Sequence, residues 1–298
     1  MPPIRFGWFL YAGAAAGAPT VPKVVAEESE VLPLVAAHFD SIWVPDHFYG
    51  FDEPAEPWLE CWTTLTWLAA RYPSVTVGPI VLGVGYRPPA LLAKMAATLQ
   101  TLSGGRFIMG IGAGWRGAEY EAYGYPFPTP GERMDQLEEA VQILRAMWTE
   151  PAPSFTGRHY AIAGAYCEPR PDPPPPLMIG GGGPKRLIPL AARYADLWDL
   201  WHGGDPMTLD RAEYVTKRDL LVAAATAAGR DPAAIGRSLS FEFCTLPTDA
   251  AGAAAWRAAL TALVDLGVQQ FLIGPRPVPG ADAVRRFAAE VIAPLRGA

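Results

Sequence analysis

Residues 86–125 read YRPPALLAKMAATLQTLSGGRFIMGIGAGWRGAEYEAYGY, and the order of patterns in this stretch decides the fold. Pro89 suits the first turn of a helix, Leu91, Leu92, Met95 and Leu99 form an apolar stripe, and Gly104 can end it. An apolar run of strand length, Phe107 to Gly112, follows at once and ends among Gly110, Gly112 and Gly114. A helix that hands the chain to a buried strand after so short a turn is the repeating step of a parallel α/β sheet.

The same step recurs outward in both directions. Strand-like runs are expected at Ile4 to Leu10, Ser41 to Pro45, Val75 to Leu82, Phe107 to Gly112, Leu177 to Gly180, Asp196 to Trp201, Leu239 to Leu246 and Gln269 to Gly274. Eight such units in 298 residues predict one (β/α)8 TIM barrel spanning residues 1–298 as a single domain. Thr129 and Glu132 form a capping-box pattern, after which Met134, Leu137, Val141, Leu144 and Trp148 make a stripe for the barrel or for a second subunit. The proline-rich connection from Glu168 to Pro176 reads as an insertion before the fifth strand, since proline excludes helix and interior strand.

Half the residues are hydrophobic and the formal net charge is -6, so no basic footprint for nucleic acid exists. Apolar stretches are interrupted by glycine and proline well short of a bilayer span, so no membrane association is expected. The run from Phe6 to Ala18 imitates a secretory signal, but only Arg5 precedes it and cleavage would remove the first strand. Cys61, Cys167 and Cys244 fit neither a disulfide framework nor a zinc pattern, which points to a cytoplasmic protein without a metal site.

Barrel chemistry sits at the carboxyl ends of the strands. Four places there stand out. Asp46 and His47 end the second run, and a histidine beside a carboxylate can exchange protons near neutral pH; a surface capping pair is the equal alternative. Gly78 to Tyr86 carries so much glycine and proline that the third strand must bulge, either against a flat ring or at an empty barrel corner. Gly110 to Trp115 lacks the last glycine of a dinucleotide fingerprint and reads as a small-residue floor beside an aromatic wall. Gly180 to Gly183 followed by Lys185 and Arg186 can cradle an anion at a helix start, against the plainer reading of a flexible loop.

Taken together, Tyr86 to Tyr125, Gly131 to Glu150 and Cys167 to Trp201 resemble the luciferase-like monooxygenase superfamily, in its branch dependent on the deazaflavin coenzyme F420. The resemblance implies catalytic roles for His47 and Asp46 beside the cofactor ring, with Val81 and Leu82 on a bulged strand behind it. It also implies cofactor contacts from Ala113 and Gly114, and from Gly181, Gly182, Gly183 and Lys185 around phosphate. A homodimer, a separate cofactor reductase and a small-molecule substrate are implied as partners, with FMN-dependent monooxygenation as the alternative chemistry and a non-catalytic flavin-binding scaffold as the alternative of another class. Sugar-phosphate dehydrogenases of that family carry a glutamate where this chain has Trp115, so a weakly polar substrate is expected instead, and neither Glu119 nor Glu121 is assigned as the base.

Overall fold

The computed structural model describes residues 3–11, 21–51, 54–55, 57–276 and 279–297, with the backbone alone for residues 21–29. The part of the signal-like run beyond Tyr11 lies outside the described residues, while its first half is a paired strand.

The strands are β1 (Arg5–Phe9), β2 (Ser41–Val44), β3 (Thr76–Pro79), β4 (Leu82–Gly83), β5 (Met109–Gly112), β8 (Leu177–Gly180), β9 (Leu197–Gly203), β10 (Gly236–Cys244) and β11 (Gln270–Pro275), with a small hairpin of β6 (Phe155–Thr156) and β7 (Ala161–Ile162) between β5 and β8. Nine of them form one sheet in the order β3-β2-β1-β11-β10-β9-β8-β5-β4. Every pairing in that sheet is parallel. Closure comes from the third run, which splits in two: β3 follows β2, β4 follows β5, and a parallel bridge joins Val77 to Phe107. The sheet thus becomes the expected eight-unit barrel, with two segments supplying its third strand.

Alternation along each strand divides the apolar residues between two environments. Trp43, Ile108, Met178 and Leu272 fill the barrel interior. Trp43 fits because its neighbours are glycines: a Cβ on Gly7 would lie 2.6 Å from the indole nitrogen, and one on Gly78 2.6 Å from its ring. Outside, the strands pack on helices that include α3 (Pro89–Leu102) and α5 (Pro130–Thr149). The capping box of Thr129 and Glu132 forms as expected, and Leu137, Val141, Leu144 and Trp148 are buried against the barrel side, where the Trp148 indole donates to Ala93 O at 3.0 Å. In α3 the buried face is Leu92, Ala93, Ala96, Ala97 and Leu99, and Leu91 is exposed. Alanines, invisible to a search for large apolar residues, set that face. The insertion before β8 carries the β6–β7 hairpin, whose loop amides at Arg158, His159 and Tyr160 all donate to Glu139 of α5. No helix among the described residues is long and apolar enough to cross a membrane.

One carboxyl lies in the barrel wall itself. Asp199 on β9 is buried and accepts from the Ser240 hydroxyl at 2.9 Å. Burial raises its pKa to about 6 against the pull of Ser238 and Ser240. The folded form therefore holds this proton more tightly than the unfolded chain, and stability falls as pH rises from about 4 to about 6, by on the order of 3 kcal/mol. Asp199→Asn should match the wild type at pH 4 and be more stable at pH 8, as read by urea denaturation. Equal stability at pH 8 would show that Asp199 ionises without cost.

Candidate active site

The chain leaving β2 sends two adjacent side chains to opposite partners, as an extended backbone requires. Asp46 turns toward β4: its carboxylate accepts from the Gly83 amide at 3.1 Å and from Arg87 at 2.8 and 3.0 Å. Arg87 also reaches Glu60 at 2.7 Å, and Glu60 caps α2 (Cys61–Arg71) through the amides of Trp62 and Thr63. Burial opposes the charge of Arg87, but Asp46 and Glu60 hold its pKa above the ordinary value. With both oxygens engaged, Asp46 is an anchor that ties β2 to β4.

His47 turns the other way. Its Nδ1 lies 2.8 Å from Glu119 on the short helix α4 (Gly117–Ala122), and Glu119 is fully buried. The same carboxylate accepts from the Phe48 amide at 3.0 Å, the Tyr86 hydroxyl at 2.8 Å and Arg116 at 2.9 Å. Burial works against the charge of Glu119, yet the bonds from His47, Phe48 and Tyr86 prevail and hold its pKa below the usual carboxylate range. An ionised carboxylate can only accept, so Nδ1 carries a hydrogen and Nε2 is the atom left to take up or release a proton. Phe51, Trp58 and Trp115 stand around the imidazole with ring centroids 4.7, 6.1 and 5.6 Å away, each edge to face. Sequence reading left Glu119 without a role, because its partner lies 72 residues away.

Where a bulge is expected, the third strand instead breaks into β3 and β4, with a cis peptide between Ile80 and Val81. Val81 is half-buried and wedged between strand ends: a Cβ on Gly112 would lie 2.8 Å from it and one on Gly180 2.9 Å. Leu82 is buried in the outer core, so its side chain does not face the barrel mouth. Ala113 is half-buried, and Gly114 has φ +74° with the Tyr120 hydroxyl only 2.3 Å from a would-be Cβ, so no larger residue fits there.

The glycine loop precedes α6 (Leu187–Tyr194). Gly181 already donates its amide to Asp199 O at 2.9 Å, and its carbonyl accepts from Trp198 at 2.8 Å. The loop donors left for an anion are thus Gly182 and Gly183, the Gly181 amide being already engaged. Lys185 is exposed beside them, and Arg186 is held by Asp135 at 2.5 Å. A cation absent from the sequence reading also approaches: Lys217 of α7 (Arg211–Ala227) puts Nζ 2.9 Å from a would-be Cβ on Gly182. Trp58 and Trp115 border the His47 imidazole and Trp201 lies at the end of β9, whereas Trp8 packs edge-on against Phe39 and Trp62 against Phe107.

The profile of the luciferase-like monooxygenase family matches residues 4–290. This chain belongs to the luciferase-like monooxygenase family. Among curated members, an F420-dependent glucose-6-phosphate dehydrogenase of Amycolatopsis mediterranei is 35% identical over 159 residues, covering 52% of this chain and 46% of the relative. A pyrimidine monooxygenase of Escherichia coli is 30% identical over 201 residues, covering 64% of this chain and 52% of the relative. The luciferase-like chain thus spans about half the length of these relatives. An F420-dependent secondary alcohol dehydrogenase, solved with an F420–acetone adduct, shares the fold with a TM-score of 0.77 at 19% identity over 99% of both chains.

Proposed function

We propose that this luciferase-like protein is an F420-dependent oxidoreductase that moves hydride to or from an organic substrate at the carboxyl end of the barrel, with Nε2 of His47 handling the accompanying proton. One observation carries the reading: a buried, ionised Glu119 fixes Nδ1 of His47 and leaves Nε2 as its single exchangeable position. The residues present fit a planar cofactor with a phosphate tail. The glycines at 112 and 180 let the Val81 side chain sit between the strand ends, and the amides of Gly182 and Gly183 lie next to Lys185 and Lys217. The deazaflavin, when bound, supplies the hydride acceptor or donor. The chain's own part is to bind, orient and shield: the rings of Phe51, Trp58 and Trp115 crowd water from the imidazole, and Glu119 keeps the proton on the correct nitrogen. F420 is favoured over FMN by the F420-dependent relatives, which match at up to 37% identity.

Two titrations test this. Apoprotein should bind oxidised F420 more tightly than FMN. Gly183→Asp places a carboxylate where the cofactor phosphate is expected; a Cβ there meets only Leu187, at 3.5 Å, so the fold is kept. The variant should bind F420 at least tenfold more weakly at an unchanged Tm, in line with a repulsion of somewhat more than 1 kcal/mol. Tighter FMN binding, or an unaffected variant, would contradict the reading.

A further inference from the structure

This inference deepens the proposed function and rests on its placing of substrate at the carboxyl end of the barrel. Along β10, Ser238, Ser240 and Glu242 share one face, and Ser240 meets Asp199 inside the barrel, so Glu242 is the uppermost inward residue of that strand. Both of its in-register neighbours are glycines, Gly203 on β9 and Gly274 on β11. A Cβ on Gly274 would press to 3.4 Å from the Glu242 Cα and 3.0 Å from Phe9. Across these gaps Tyr11 donates its hydroxyl to Glu242 at 2.9 Å and Trp201 its indole N–H at 2.5 Å. The strand then bulges, and Phe243 takes φ +62°, a conformation rare for a bulky residue and concentrated at ligand sites. Its ring stacks 5.9 Å from that of Tyr11, while Phe243 and Trp201 remain 41% and 55% exposed.

The result is a carboxyl held by two neutral donors under an aromatic wall. A carboxylate can accept about four hydrogen bonds, and two are made among the described residues. The Arg276 side chain bears on it from above the Tyr11 and Phe243 rings, at 5.7 and 5.6 Å, without an ion pair to Glu242 among the described residues. Burial pushes the Glu242 pKa up despite Trp201, Tyr11, His47 and Arg276. A ligand cation would relieve that cost, and the exposed Trp201 ring, which carries no cation among the described residues, attracts the same charge.

We infer that Glu242 is the specificity-determining carboxyl of the mouth: it accepts an N–H from a substrate bearing a protonated nitrogen, walled by Tyr11, Trp201 and Phe243, and it disfavours carboxylates and phosphates. The weakly polar mouth expected from Trp115 therefore has a charged position at Glu242.

Calorimetric titration of the intact protein with benzylammonium and with benzoate, which share a ring and differ in charge, tests this directly. The wild type should bind benzylammonium at least tenfold more tightly than benzoate. Glu242→Gln keeps the side-chain size and should bring the ratio near one, Glu242→Asp should keep a preference for the cation, and Asp199→Asn, which removes a different barrel carboxyl, should leave the ratio unchanged. No preference in the wild type, or a preference that survives in Glu242→Gln, overturns the assignment. F420 titration of the same samples keeps the two readings apart, because failure to bind F420 refutes the proposed reaction without altering the probe ratio.

Discussion

His47→Asn should lower turnover by about two to four orders of magnitude while F420 affinity stays within a few-fold of the wild type. Asparagine can still donate from its side chain toward Glu119, so the buried carboxylate keeps a partner and the surrounding network of Phe48, Tyr86 and Arg116 survives. What disappears is Nε2, the ring nitrogen left to take up or release a proton. Glu119→Gln provides the companion test, since a neutral amide can donate to Nδ1 and thereby admit the other tautomer. It should lower kcat and shift its pH profile while the KM changes little. Equal losses of affinity and rate in His47→Asn would make the imidazole a packing residue.

Asp46→Ala should cost about 3 kcal/mol of stability, the lower end of what removing one partner of a buried ion pair costs. The Asp46 side chain is fully buried and Arg87 nearly so, and the substitution strands both the guanidinium and the Gly83 amide. Glu60 remains on Arg87, which keeps the loss from reaching the upper end. Urea denaturation should show a lower midpoint at an unchanged slope. A loss under about 1 kcal/mol would mean that water takes over the pairing and that Asp46 is not the anchor described here.

Much of this was legible in the sequence because it follows from period and punctuation. The eight strand runs appear within a few residues of their expected ends, and the capping box at Thr129 and the cluster of glycines at residues 180–183 fall where the pattern puts them. The errors have common physical causes. Large apolar residues dominate the stripe that includes Leu91, whereas α3 packs closely through Ala93, Ala96 and Ala97 and leaves Leu91 exposed. The third strand reads as one run, and nothing local announces that its halves pair with different neighbours. Asp46 and His47 were visible as a pair, but not their division, since Arg87 and Glu119 lie 41 and 72 residues away. A signal for Glu119 did exist in its spacing of three from Arg116 on a short helix. Glu242 had a comparable one: Ser238, Ser240 and Glu242 alternate with Leu239 and Phe241, marking an inward polar face that ends in a carboxylate.

Anaerobic stopped-flow mixing of the protein and reduced F420 with a panel of small ketones, enones and imines tests the central claim most directly. Reduced F420 should be consumed by at least one of these acceptors without oxygen, in a phase that His47→Asn slows at least a hundredfold. Consumption that requires oxygen, or that proceeds equally fast in His47→Asn, would contradict the account.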